Sequence, residues 1–93
     1  MDERFEWDPQ KARQNRKKHG VAFEEAGTVF DDPFRTAAIE DKASSYEDRW
    51  VTFGESARGK LLRVVYCERA TKVRLISAKK ATPRERQVYE ESQ

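Results

Sequence analysis

The chain has 93 residues, of which 39% are charged and 37% hydrophobic, with a formal net charge of +2. That length admits one domain around a thin core, and ten aromatic residues argue against disorder. A single cysteine, Cys67, excludes an internal disulfide and a multi-cysteine zinc site, and with neither a membrane-length apolar run nor a signal-like N-terminus the expectation is a cytoplasmic protein.

In chain order, Arg4 to Trp7 reads as a short strand or anchor. Asp8 then caps a helix with Pro9 at its first position, and Gly20 stops it. Ala12 is the only apolar residue between Pro9 and Gly20, so this helix belongs on the surface with one thin edge docked. Lys11, Asn15 and Lys18 share one edge; Ala12, Arg16 and His19 share the next. Phe23, Ala26 and Phe30, broadened by Val29, predict a core-facing second helix, ended by Asp31, Asp32 and Pro33.

Strand-like runs follow. Arg35 to Ile39 is short; Arg49 to Gly54, Leu61 to Glu68 and Val73 to Ala78 are rich in aliphatic, β-branched and aromatic residues. The short connections between the last three suit antiparallel hairpins, with Gly59 in a tight turn. Along these strands Arg63 and Val65 alternate with Leu62, Val64 and Tyr66, and Arg74 and Ile76 with Val73 and Leu75. Finally Thr82, Pro83 and Glu85 spell a capping box at the start of a C-terminal helix. The expected fold is α+β: a small antiparallel sheet, two N-terminal helices and one C-terminal helix. One sheet face should be covered by helices, the other partly open and basic.

Charge is segregated along the chain. Lys11 to Lys18 holds five basic residues and no acid, and Arg58 to Arg86 holds ten against Glu68 and Glu85. Between Glu24 and Asp48 eight acids face Arg35 and Lys42. A chain so divided can offer a basic face to nucleic acid despite its small net charge. The last strand and the helix after it gather Arg74, Lys79, Lys80, Arg84 and Arg86 around one corner, an arrangement suited to phosphate.

The motifs F-E-W-D-P-x-K (from Phe5), N-x-x-K-H-G-V-x-F-E-E-A (from Asn15), R-W-V-T-F-G-E-S-A-R-G-K-L-L (from Arg49) and R-L-I-S-A-K-K-A-T-P-R-E-R (from Arg74) stand in the order found in BrnT toxins. The chain resembles that family over nearly its whole length. The resemblance implies a type II toxin with a fold like the RelE ribonucleases. It also implies a small DNA-binding antitoxin, BrnA, a ribbon-helix-helix protein that neutralises the toxin, forms a heterotetramer with it and carries the complex to operator DNA. Two departures stand out. Ala22 replaces the Ser common before Phe-Glu-Glu, a lost cap of about 1 kcal/mol. Lys79-Lys80 replaces Arg-Lys, keeping charge but losing a planar fork.

Cutting RNA without a metal requires a proton acceptor for the 2′-hydroxyl, cations at the phosphate and a proton donor for the leaving oxygen. No cofactor and no metal are expected, since the sequence has no dense Asp/Glu/His cluster. Arg63 and Arg74, on neighbouring strands, are expected to cradle the scissile phosphate, or else to sit in cross-strand salt bridges such as with Glu68. Lys79 and Arg84 are the next candidates, against an ordinary solvated turn. His19 is either an acid–base group or a complement to the helix dipole. Glu68 is either a base or a salt-bridge partner, and Tyr89 either contacts RNA or, with Val88, anchors the last helix. Lys11, Asn15, Lys18 and Lys80 are expected to touch the RNA backbone. A non-catalytic RNA-binding module, or the partner subunit of a repressor complex, is the alternative from the same residues.

Overall fold

In a computed structural model, residues 2–41 and 48–93 are described. The elements are β1 (Phe5–Glu6), α1 (Pro9–His19), α2 (Phe23–Gly27), β2 (Ile39–Glu40), β3 (Trp50–Glu55), β4 (Leu61–Arg69), β5 (Lys72–Lys80) and α3 (Pro83–Glu91). A 3-10 turn, Thr28–Asp31, extends α2. The strands form a five-stranded sheet in the order β1-β5-β4-β3-β2.

The sheet is mixed, not purely antiparallel as expected. β3, β4 and β5 form the antiparallel core, but β1 pairs parallel with β5, Phe5 beside Val73 and Glu6 beside Arg74. The first strand thus sits against the last, a partner that no hairpin connection could announce. The early run Arg35 to Ile39 yields only β2; before it, Thr36 fastens the chain to β3 through its N–H to the Phe53 carbonyl.

The helices also depart from the expected arrangement. α1 matches, with the Asp8 carboxylate accepting from the Gln10 N–H, Pro9 following it, and Gly20 closing in the left-handed region at φ 72°. The second helix breaks off at Gly27, where a Cβ would lie 3.2 Å from the Phe5 ring. Thr28 Oγ1 then donates to the Glu25 carbonyl at 2.6 Å, and the chain tightens into the 3-10 turn. α3 lies across the face expected to be open.

Two apolar clusters hold these layers. Phe5, Val21, Phe23, Ala26, Val29, Leu62, Val64 and Leu75 fill the space between the sheet and α1–α2, and Phe30 stacks edge-on to Tyr66 at 5.0 Å. On the opposite face Val51, Phe53 and Val65 meet Ile76 and Tyr89, which roofs that half of the sheet. A bulge between Val65 and Tyr66 makes Ile76 the extra residue of β5 and turns it toward this second cluster.

One polar side chain ties α1 to the sheet edge, beside the apolar contact of Ala12 with the core. Asn15 is buried, and its amide pairs with the free edge of β5: Nδ2 donates to the Ala78 and Val21 carbonyls at 2.9 Å, and Oδ1 accepts the Ala78 N–H at 3.0 Å. The side chain stands where another strand would otherwise pair.

Candidate active site

The face bearing the second cluster also carries the cations. Arg63 on β4 and Lys79 on β5 are directly opposed, so their side chains rise side by side. Glu85 reaches them from the first turn of α3. In the capping box Thr82 Oγ1 accepts the Glu85 N–H at 3.1 Å and Glu85 Oε1 accepts the Thr82 N–H at 2.9 Å. The remaining oxygen, Oε2, faces Arg63 Nε at 3.4 Å, an ion pair whose side chains are only 25% and 22% exposed. Lys79 is half-buried and has no carboxylate partner among the described residues.

Arg74 is on the same face, opposite Cys67, and its guanidinium binds Glu6 at 2.9 Å. Cys67 lies four positions beyond Arg63 on β4, roughly 13 Å of strand. The structure therefore does not bring Arg63 and Arg74 together on one phosphate; it brings Arg63 and Lys79 together. Glu68 falls elsewhere: opposite Val73 and in phase with Val64 and Tyr66, it belongs to the helix-covered face and is exposed. The arginines pair instead with Glu85 and Glu6. Neither acid was singled out as a site residue in the sequence. The capping motif at Glu85 accounted for one carboxylate oxygen and left the second unassigned.

An open groove of about 250 Å³ runs beside this face between α1 and β5, lined by Lys11, Asn15, Lys18, His19, Ile76 and Ser77 among others. Ser77 precedes Lys79 by two residues on β5, so the groove continues the Arg63–Lys79 site. Lys11, Lys18 and His19 form its wall, while Asn15 is committed to the backbone hydrogen bonds of the sheet edge. Lys80, opposite Leu62, points away from the face, and Arg84 is exposed on α3.

Tyr89 anchors α3. It packs on Val51, Phe53 and Val65, and its hydroxyl donates to Asp32 Oδ2 at 2.7 Å. Val88 does not share that role, being 42% exposed. Burial and the Asp32 carboxylate push the Tyr89 hydroxyl up to about 12. Burial opposes ionisation of Asp32, but hydrogen bonds from the Glu55 N–H, the Tyr89 hydroxyl and the Phe34 N–H outweigh it and lower its pKa. Tyr89 is therefore a neutral donor and Asp32 an acceptor across the physiological range.

Among the described residues no three His, Cys, Asp or Glu side chains are grouped to hold a metal ion, and no helix is long and apolar enough to cross a membrane. The family model for the ribonuclease toxin BrnT of type II toxin-antitoxin systems matches residues 7–85. The chain belongs to the BrnT family. A solved structure, the ribonuclease toxin BrnT of Brucella abortus, shares the fold at TM-score 0.61, with 20% identity over 82% of this chain and 92% of that one. No curated protein sequence matches significantly. Membership of a type II toxin–antitoxin family implies an antitoxin partner for this BrnT chain.

Proposed function

We propose that this BrnT protein is an endoribonuclease that cuts RNA without a metal ion and thereby arrests translation and growth in the cytoplasm. The observation that carries the reading is the Arg63–Lys79 pair with a carboxylate of Glu85 beside it. In this reading Glu85 Oε2 accepts the proton of the attacking 2′-hydroxyl. Arg63 and Lys79 stabilise the charge that develops on the phosphate, and the Lys79 ammonium donates the proton to the leaving 5′-oxygen. Arg63 exchanges its contact with Glu85 for the phosphate when RNA binds. Lys11, Lys18 and His19 hold the flanking strand along the groove, and Arg74, tied to Glu6, marks its far end.

We further infer a kinship with the RelE group, resting on two early helices, the antiparallel β3–β5 core and a closing helix. The partner in this reading is a BrnA-like ribbon-helix-helix antitoxin that covers the basic face, assembles as a heterotetramer and supplies the only contact with operator DNA.

The test is cleavage of RNA in excess chelator by the purified protein and by E85Q, K79Q and R63Q. Glutamine at position 85 retains the capping oxygen, so E85Q reports on chemistry more than on folding. Each variant is expected to lose about 10²-fold or more in kcat. Intact RNA with the wild type, or unimpaired cleavage by E85Q and K79Q, overturns the reading. Salt-dependent RNA binding without cleavage returns the protein to the non-catalytic alternative.

A further inference from the structure

A second cationic site lies around the corner from the first. An open pocket of about 230 Å³ at the end of the sheet is lined by Gly59, Lys60, Leu61, Lys80, Ala81 and Arg86. It joins three pieces of chain: the β3–β4 turn, where Gly59 sits at φ 76°, the end of β5, and the first turns of α3. Lys60, Lys80 and Arg86 are exposed, and none of their side chains makes an ion pair or hydrogen bond among the described residues. The carboxylate nearest in sequence, Glu85, is turned away to Arg63 and the Thr82 N–H. Three like charges facing one space repel one another and are relieved by an anion.

The pocket is also placed to share a ligand with the first site. Leu61 precedes Arg63 by two residues on β4, roughly 7 Å, and Lys80 directly follows Lys79. That separation exceeds the reach of one phosphate's hydrogen bonds, yet a single strand can bridge it. We propose that Lys60, Lys80 and Arg86 bind a second backbone phosphate of the same RNA strand, next to the one held at Arg63 and Lys79. The site extends the ribonuclease reading above: it binds and orients the strand and takes no part in bond cleavage.

Three measurements test this. The first is affinity for a short single-stranded DNA, which lacks the 2′-hydroxyl and so reports binding alone. The comparison is K60Q/R86Q against R69Q/K72Q, which removes the same charge at the exposed β4–β5 hairpin. Loss of one phosphate contact is expected to flatten the slope of log Kd against log salt by ~0.7, about fivefold weaker binding at 0.1 M salt, with little change in R69Q/K72Q. The second is kinetics: K60Q/R86Q should raise KM for a long RNA at unchanged kcat and leave dinucleotide cleavage unaltered. The third is a titration of the wild-type protein with inorganic phosphate at low salt, in which the Gly59, Lys60 and Ala81 amide resonances should move.

If the wild type cuts RNA while the two double variants behave alike and phosphate leaves those amides unmoved, the pocket is refuted and the nuclease reading stands. If nothing cuts RNA, the nuclease reading falls, and the DNA and phosphate measurements still decide the pocket.

Discussion

Replacing Asn15 probes what joins the first helix to the sheet. Its amide satisfies the Ala78 N–H and the Ala78 and Val21 carbonyls, and the side chain is buried. In Asn15→Ala the Ala78 N–H loses its acceptor in a place water does not reach, about 1–3 kcal/mol, and each carbonyl loses a donor at about 0.5–1 kcal/mol. The sum, about 2–5 kcal/mol, is a large share of the roughly 5–14 kcal/mol expected for a domain of this length. Asn15→Asp is more informative. It keeps an acceptor for the Ala78 N–H but aims a second oxygen at two carbonyls, so burial and repulsion raise its folded pKa above the unfolded value of about 3.9. A raised carboxyl binds its proton more tightly when folded. The variant is therefore most stable below the unfolded pKa and weakens as pH rises through the folded one. Urea unfolding followed by tryptophan fluorescence across pH measures both effects. If Asn15→Ala stays within about 0.5 kcal/mol of wild type, or Asn15→Asp follows the wild-type pH profile, the amide does not join helix to sheet as described.

Three further outcomes are expected. Gly54→Ala would place a Cβ 2.6 Å from Val29 Cγ1 and 2.9 Å from Arg35 Cβ, so thermal melting should show a loss of about 1–3 kcal/mol. Thr82→Ala removes the side-chain cap of α3 and should cost about 1 kcal/mol in the same assay, with a fall in helical circular dichroism. Tyr89→Phe removes the donor to Asp32. Because the folded pKa of Asp32 is lowered, its stabilisation is present above the unfolded pKa and lost as pH falls through the folded one, so acid unfolding should be less steep in this variant than in wild type.

Local chemistry was legible in the sequence where it acts over a few residues. Asp8-Pro9 with Gly20 fixed α1, and Thr82-Pro83-x-Glu85 fixed α3 with both capping hydrogen bonds. Alternation correctly put Arg63, Val65, Arg74 and Ile76 on one face and Leu62, Val64 and Leu75 on the other. Features that depend on distant partners were not legible. Phe5–Glu6 has no local sign that it will pair in parallel with β5, nor does the second helix show that it gives way to a 3-10 turn after Gly27, where the Phe5 ring packs close. The site suffered in the same way. Arg63 and Arg74 looked adjacent when strand neighbours were known but register was not; register pairs Arg63 with Lys79. Asn15 resembled a surface contact on a polar helix edge, because nothing nearby in the chain shows that its amide meets Ala78, 63 residues on.

The parallel pairing of β1 with β5 has a consequence for synthesis. Phe5 and Glu6 leave the ribosome well before their partners, since Glu6 and Arg74 are 68 residues apart in the chain. Until then β1 has no neighbour, Asn15 has no strand edge to fasten, and Lys79 does not exist opposite Arg63. A chain that stops short of β5 is thus unable to assemble the basic face, and a cell making this protein does not meet that surface until β5 has been translated.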